Sequence, residues 1–171
     1  MGRLRAILFD LGDTLIKEIE SPADLNTTDF EVLDGAVEVL SEMNKNYRMA
    51  IVSNTLTWGD KEVSDALAKK DLTKYFDAIV TSVDAGSNKP NKTIFKKALN
   101  ILDAQPYEAV MIGDRIDTDI SGANALGIIS ILYRWNDRYP VGIIHEEDLP
   151  DFIVGSLKEL LPLIKWLDDV P

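Results

Sequence analysis

The sequence contains no cysteine and only one histidine among its 171 residues. The absence of cysteine excludes disulfide bonds and thiolate chemistry. The single histidine, His145, lies in an irregular acidic stretch, and this position favours a surface side chain over a catalytic one.

Positive charge is also scarce. The chain has 18 Lys and Arg residues against 29 Asp and Glu residues, which gives a formal net charge of −11. Basic residues never form a run longer than a pair. Because such a field repels nucleic acid and anionic membranes, we expect no nucleic-acid or membrane partner. A phosphate site would need its own local positive charge.

Long hydrophobic runs are missing as well. No stretch approaches the length of a membrane span, and the first apolar segment stops at Asp10, too early for a signal peptide. A cytoplasmic location is therefore expected. The length and the apolar content of 46% suit a single domain covering residues 1–171.

What the chain does contain is a series of short apolar runs. They do not alternate apolar with polar residues, so the pattern predicts strands covered on both faces, as in a parallel sheet. The predicted strands are Ala6–Phe9, Met49–Val52, Ala78–Val80, Ala109–Ile112, Ile128–Leu132 and, more weakly, Phe152–Val154.

Helical periodicity lies between these runs. The predicted helices carry apolar residues over Leu33–Met43 (including Val37), Val63–Leu67, Ile94–Leu102, Ile120–Leu126 and Ser156–Leu167. Pro162 is expected to kink or shorten the last of them. The alternation predicts an α/β, doubly wound (Rossmann-like) fold with a mainly parallel sheet of five to six strands and helices on both faces.

Polar residues that can perform chemistry follow four of the strands. In open α/β sheets, ligands bind outside the carboxyl ends of the strands, so these residues are expected to gather at one edge. They are Asp10-Leu11-Gly12-Asp13-Thr14, Ser53-Asn54, Lys89-Pro90, and Gly113-Asp114 with Asp119.

Carboxylates packed together repel one another unless a cation binds between them. Oxygen ligands without histidine or cysteine suit Mg²⁺, which binds one or two carboxylates, waters and a substrate phosphate. A carboxylate can then attack phosphorus, while the metal and a lysine neutralise the transferring group.

In order, the four segments resemble the four motifs of the haloacid dehalogenase-like superfamily. The first motif is Asp-x-Asp-x-Thr after a strand, here Asp10 to Thr14. The second is a Ser or Thr ending a strand, here Ser53, and the third is a Lys before a helix, here Lys89. The fourth is Gly-Asp followed by a further Asp, and the resemblance covers nearly the whole chain.

The resemblance implies a metal and a nucleophile. Asp10 would be the nucleophile and a Mg²⁺ ligand, with the Gly12 carbonyl as a second ligand. Asp114 would complete the metal site, and Asp119 would orient it or pair with Lys89.

It also implies a phosphate site. Ser53, Asn54 and Lys89 would hold the phosphoryl group, and Thr14 would brace the turn beside it. The substrate would be a phosphorylated small molecule or a phosphoprotein.

One position departs from the motif. The phosphatases of the superfamily usually carry a general-acid Asp two residues after the nucleophile, where this chain has Gly12. Asp13 substitutes for it if the turn, made permissive by Gly12, rotates the side chain inward. Losing the acid would cost about 10²–10⁴-fold in rate. A slow phosphatase therefore stands beside a non-catalytic phosphate- or partner-binding protein as the alternative.

The motif spacing leaves no room for a cap domain, because Thr14 to Ser53 and Ser53 to Lys89 each span fewer than 40 residues. An open site of this kind admits a bulky substrate unless a neighbouring subunit closes it, which leaves a homo-oligomer open. The aromatic and arginine residues of the segment 133–139 are candidates for a dimer contact or a substrate wall.

Overall fold

The computed structural model describes residues 3–19, 28–139 and 142–170. Six parallel strands form one sheet in the order β3-β2-β1-β4-β5-β6. This confirms the predicted doubly wound α/β fold. The strands are β1 (Ala6–Phe9), β2 (Arg48–Ser53), β3 (Ala78–Thr81), β4 (Ala109–Gly113), β5 (Ile129–Tyr133) and β6 (Phe152–Val154).

The central strand β1 shows why its sequence is continuously apolar. All four of its residues are fully buried. Ile7 and Phe9 point into one hydrophobic cluster, and Ala6 and Leu8 point into the other. Because successive side chains of a strand face opposite sides of the sheet, a strand covered on both sides needs apolar residues at every position.

Helices cover both faces of the sheet, as predicted. α1, α2 and α6 contribute buried residues to the cluster around Ile7, and α4 and α5 contribute to the cluster around Leu8. The α-helices are α1 (Ala36–Met43), α2 (Asp60–Ala68), α3 (Ser82–Ala85), α4 (Lys92–Ile101), α5 (Ser121–Asn124) and α6 (Leu160–Asp169). A π-helical turn, Ile116–Ile120, leads directly into α5.

Two details differ from the sequence pattern. The helical pattern predicts Val37 on the buried face of the first helix, but its side chain is 48% exposed. The buried face of α1 is formed by Ala36, Val39, Leu40 and Met43. The last α-helix is shorter at its start than the predicted Ser156–Leu167, because it begins at Leu160 after a 3-10 turn at Leu157–Glu159. Pro162 lies in its first turn, where a backbone N–H has no helical acceptor.

The stretches between the predicted motifs hold only elements of this layered core. Among the described residues, α1 precedes β2, while α2, β3 and α3 lie between Ser53 and Lys89. No further layer covers the sheet edge in the part of the chain that the structure describes. None of the helices in that part has the length and apolarity to cross a bilayer.

The two faces of α1 give a test of the core. Leu40→Ala is expected to destabilise the protein by about 2–5 kcal/mol, because Leu40 is fully buried and its truncation leaves a cavity. Val37→Ala on the exposed face should change stability by less than about 0.5 kcal/mol. Urea unfolding followed by circular dichroism measures both. Equal losses in the two variants would contradict this packing of α1.

Candidate active site

Three strand ends meet at the centre of the sheet. Asp10 follows β1, Ser53 ends β2 and Asp114 follows β4, and β1 lies directly between the other two strands. This is the point where the strand order changes direction, and doubly wound folds bind their ligands there. The sheet order therefore brings together residues that are more than a hundred positions apart in the sequence.

A buried ion pair network joins the first, third and fourth motifs. The ammonium group of Lys89 lies 2.7 Å from Asp10 Oδ1 and 2.6 Å from Asp119 Oδ1. Lys89 is only 3% exposed, and Asp119 is fully buried. Burial opposes the charged form of Lys89, but the two carboxylates outweigh it and raise the pKa of the ammonium group above its usual value.

Asp114 is linked to Asp10 through Thr14. The hydroxyl of Thr14 is 3.3 Å from Asp114 Oδ1 and 3.5 Å from Asp10 Oδ2, so it can donate to either carboxylate. Asp114 Oδ2 is buried and has no hydrogen-bond partner among the described residues. A buried carboxylate oxygen without a donor is costly, and a bound cation would remove that cost.

The electrostatics of the three carboxylates agree with a cation site. Burial together with the charges of Asp10 and Asp119 raises the pKa of Asp114 to about 9. Burial and Asp10 also raise the pKa of Asp119 to about 6, although Lys89 opposes this shift. Oxygen atoms of these three residues all lie within 4.8 Å of one another. The donor set is made of hard oxygens only, which fits Mg²⁺.

The backbone of Lys89 is held by Asn54. The side-chain oxygen of Asn54 accepts from the Lys89 N–H at 2.7 Å, and its amide nitrogen donates to the Lys89 carbonyl at 3.0 Å. Asn54, predicted to bind phosphate, thus positions the lysine that reaches Asp10. Ser53 is buried at the end of β2 beside it, and its contact with phosphate stays a prediction.

Asp119 is placed by the π-helical turn and by a glycine. Its Oδ2 accepts from the Arg115 N–H at 3.1 Å, which leaves its Oδ1 for Lys89. A Cβ at Gly113 would lie 2.6 Å from the Asp119 Cβ, so only glycine fits against this side chain. π-Helical turns are frequent at functional sites.

Asp13 closes the turn after β1. Its φ is 52°, in the left-handed region that Asp tolerates better than most residues. Its Oδ1 accepts from the Glu18 N–H at 3.0 Å, and its Oδ2 lies 2.8 Å from Arg138 Nε. The carboxylate of Asp13 is therefore engaged in holding the turn, and its role as a proton donor stays a prediction.

The segment 133–139 reaches the same turn. Trp135 Nε1 donates to the Asp13 carbonyl at 2.8 Å, and the Arg138 contact lies beside it. The ring of Tyr139 lies 4.5 Å from the guanidinium of Arg115. The segment thus lies beside the turn after β1, and both predicted roles, substrate wall and dimer contact, stay predictions.

Glu18 belongs to this site and was missed in the sequence. Burial and the charges of Asp10 and Asp13 raise the pKa of its carboxyl group. It lies in an irregular stretch without a periodic pattern or a matching motif, so nothing in the sequence indicated that its chain segment folds back over the turn. The metal-ligand role of the Gly12 carbonyl stays a prediction.

Comparison with known families places the chain. Residues 13–133 match the haloacid dehalogenase-like hydrolase family, and the chain belongs to this family. The matched range contains the second, third and fourth motifs.

Named relatives share part of their length with this chain. Glyceraldehyde 3-phosphate phosphatase from Methanopyrus kandleri is 34% identical over 60% of this chain and 44% of its own. N-acylneuraminate-9-phosphatase from Homo sapiens is 29% identical over 76% and 50%. Haloacid dehalogenase-like hydrolase domain-containing protein 3 from Bos taurus is 31% identical over 92% and 59%. The chain spans about half the length of the curated relatives it matches.

Solved structures share the fold. A protein from Listeria monocytogenes serotype 4b superimposes with a TM-score of 0.81 at 29% identity, covering 98% of this chain and all of that one (100%). A phosphatase of the same superfamily from Thermococcus onnurineus has a TM-score of 0.75 at 20% identity, covering 94% of this chain and 98% of its own. At that identity the likeness shows the fold alone.

The carboxylate cluster predicts a stability that falls with pH when no metal is present. The raised pKa of Asp114, about 9, means that the folded protein binds this proton more tightly than the unfolded chain does. Stability is therefore lost as pH rises from the ordinary Asp range, about 4, towards about 9. In metal chelator, the Tm of the wild type should fall between about pH 5 and pH 8. In Asp114→Asn, the fall in Tm over this pH range should be smaller by several degrees.

Mg²⁺ should reverse the effect, because the metal competes with the proton on Asp114. The rise in Tm on adding Mg²⁺ is expected to be larger at about pH 8 than at pH 6, and absent in Asp114→Asn. Asp117→Asn, which changes an exposed carboxylate nearby, serves as the matched control. A Mg²⁺ response of equal size in Asp114→Asn would exclude Asp114 as a ligand.

Proposed function

We propose that this chain hydrolyses phosphomonoesters in a Mg²⁺-dependent reaction through a phospho-aspartyl intermediate on Asp10. The observation that carries the proposal is the position of the Asp10 carboxylate. Its Oδ1 lies 2.7 Å from the Lys89 ammonium, and its Oδ2 lies 3.5 Å from the Thr14 hydroxyl, which also contacts Asp114. The second oxygen of Asp114 is buried and has no donor among the described residues. The relatives named as phosphatases support hydrolysis of a phosphate ester.

The residues present fit a magnesium ion. Asp10, Asp114 and the Gly12 carbonyl would hold it, with Asp119 close enough to orient it or to join it. When bound, it supplies positive charge that neutralises the phosphoryl oxygens and separates the carboxylates.

Each chain residue then has a defined task. Asp10 attacks the phosphorus, and the Lys89 ammonium neutralises charge that develops on the transferring group. Asp119 and Asn54 hold Lys89 at this distance, so its ammonium group does not have to move during the reaction. Ser53 and Thr14 border the phosphoryl position and contribute hydroxyl groups to it.

A phosphorylated small molecule is the proposed substrate class. Relatives named for the phosphates of glyceraldehyde and of N-acylneuraminate support it. The sheet edge carries no further layer among the described residues, so a phosphorylated side chain of a protein is the second substrate class that fits. The segment 133–139 borders this open edge through its contact with Asp13.

A binding protein without catalysis is the competing function, and Gly12 is the observation that favours it. A chain with the metal and phosphate sites but no acid two residues after the nucleophile would retain phosphate affinity and lose turnover. The two functions predict different results in one assay.

The test measures Mg²⁺-dependent hydrolysis of p-nitrophenyl phosphate by the wild type, Asp10→Asn and Asp117→Asn. Asp10→Asn is expected to lose activity by roughly 10³-fold or more, because the variant removes the nucleophile. Asp117→Asn should retain it, because this exposed side chain pairs with Arg115 rather than with the site carboxylates. Acid quenching during turnover of a labelled phosphoester should trap phosphate on the wild type and on Asp117→Asn, but not on Asp10→Asn.

Three results would contradict the proposal. Equal activity in the wild type and Asp10→Asn would remove the covalent mechanism. Activity that persists in the presence of a metal chelator would exclude a requirement for the metal. No activity in the wild type, with tight binding of inorganic phosphate, would establish the binding protein instead.

A further inference from the structure

The space that the side chain of an aspartate at residue 12 would fill is already occupied. A Cβ built on Gly12 would lie 2.8 Å from Glu18 Cδ and 3.2 Å from Glu18 Oε1, and closer still to Oε2. The carboxyl group of Glu18 therefore occupies the position into which the side chain of an aspartate at residue 12 would project. A carboxyl group is therefore present at this position, but it belongs to a residue six positions further along the chain.

Backbone hydrogen bonds hold Glu18 there. Its N–H donates to Asp13 Oδ1 at 3.0 Å, and the Asp13 N–H donates to the Ile16 carbonyl at 2.7 Å. The residue before it, Lys17, donates its N–H to the Glu31 carbonyl at 2.9 Å. The segment that carries Glu18 is thus fixed both to the turn after β1 and to the strand-like segment facing it.

Other carboxyl groups at the site are engaged elsewhere. Asp13 is held by the Glu18 N–H and by Arg138, and Asp119 by Lys89 and the Arg115 N–H. Asp114 lies within the carboxylate cluster that fits a metal. Glu18 remains, and its side chain is partly exposed to solvent.

We propose that Glu18 is the catalytic proton donor to the leaving group, in the place of the aspartate that Gly12 replaces. The inference rests on the proposed phosphatase function and deepens it. The observation behind it is that the Glu18 carboxyl group fills the side-chain space of residue 12, two residues after Asp10.

The reaction balances in two steps. An Asp10 oxygen forms a bond to phosphorus while the bond from phosphorus to the leaving oxygen breaks, and that oxygen takes the proton of the Glu18 carboxyl group. The alcohol leaves, and Glu18 is then a carboxylate. Water next attacks the phosphorus of phospho-Asp10 and gives its proton to Glu18, the bond from phosphorus to Asp10 breaks, and phosphate leaves.

The experiment uses leaving groups that differ in their need for a proton. Phenol, with a pKa near that of the tyrosine side chain at about 10, needs protonation, whereas nitrophenolate leaves without it. Glu18→Gln is expected to lower kcat/KM for phenyl phosphate by about 10²–10⁴-fold and for p-nitrophenyl phosphate by less than about 10-fold. The retained second activity also shows that the variant folds.

Matched variants separate Glu18 from its neighbours. Glu31→Gln removes an exposed carboxyl group that lies on the facing segment and is paired with Lys17. This variant should leave kcat/KM for both substrates unchanged. An aspartate side chain at Gly12 would overlap the Glu18 carboxyl group, so Gly12→Asp is tested together with removal of that group. Combined with Glu18→Ala, which clears the space, Gly12→Asp should restore hydrolysis of phenyl phosphate relative to Glu18→Ala.

Failure of the two proposals can be told apart. One outcome is that Asp10→Asn abolishes activity while Glu18→Gln lowers kcat/KM equally for both substrates or for neither. In that case Glu18 is not the donor, and the phosphatase function stands. A loss selective for phenyl phosphate in Asp13→Asn instead of Glu18→Gln assigns the donor to Asp13 and overturns the inference. A wild type inactive towards both substrates overturns the phosphatase function and the inference with it.

Discussion

The structure of the site depends on one buried ammonium group. Lys89 lies between Asp10 and Asp119 in a region where both the lysine and Asp119 are almost completely shielded from water. Removing one partner of a buried ion pair typically costs about 3–5 kcal/mol, because it leaves an uncompensated charge. Three carboxylates can therefore crowd the end of β1 and β4 only while this cation is present, and much of the local architecture serves to keep it there. Asn54 fixes its backbone, and Gly113 gives Asp119 the space to face it.

Most of the fold follows from the sequence, because parallel strands covered on both sides must be apolar at every position. The run Ala6–Phe9 coincides with β1, and the helical periodicity identified four of the longer helices. The exposed Val37 shows the limit of such patterns. Ala36, Val39, Leu40 and Met43 define the buried face of α1, and an apolar side chain next to that face still points to solvent.

The candidate site was predictable only where its residues follow strands. Asp10, Ser53 and Asp114 take their positions from the sheet order, so a strand pattern and a motif locate them together. Glu18 could not be found in this way, since it reaches the site through a fold-back of irregular chain that depends on hydrogen bonds to Asp13 and to the segment around Glu31. Such bonds leave no periodic trace in a sequence. The left-handed φ of Asp13, which sends its carboxylate towards Arg138, is another property that the residue type allows but does not dictate.

The hydrogen bond from Trp135 to the Asp13 carbonyl joins two parts of the mouth that lie over a hundred residues apart in the chain. Under the proposed function, this loop after β5 would contact the substrate, and it also touches the turn that begins at Asp10. Under that function, residues that select the substrate and residues that hold the reacting group would depend on each other. A substitution that reshapes the loop for a new compound also moves the carbonyl on which the turn rests, so changes of preference here are expected to require compensating changes three residues from Asp10.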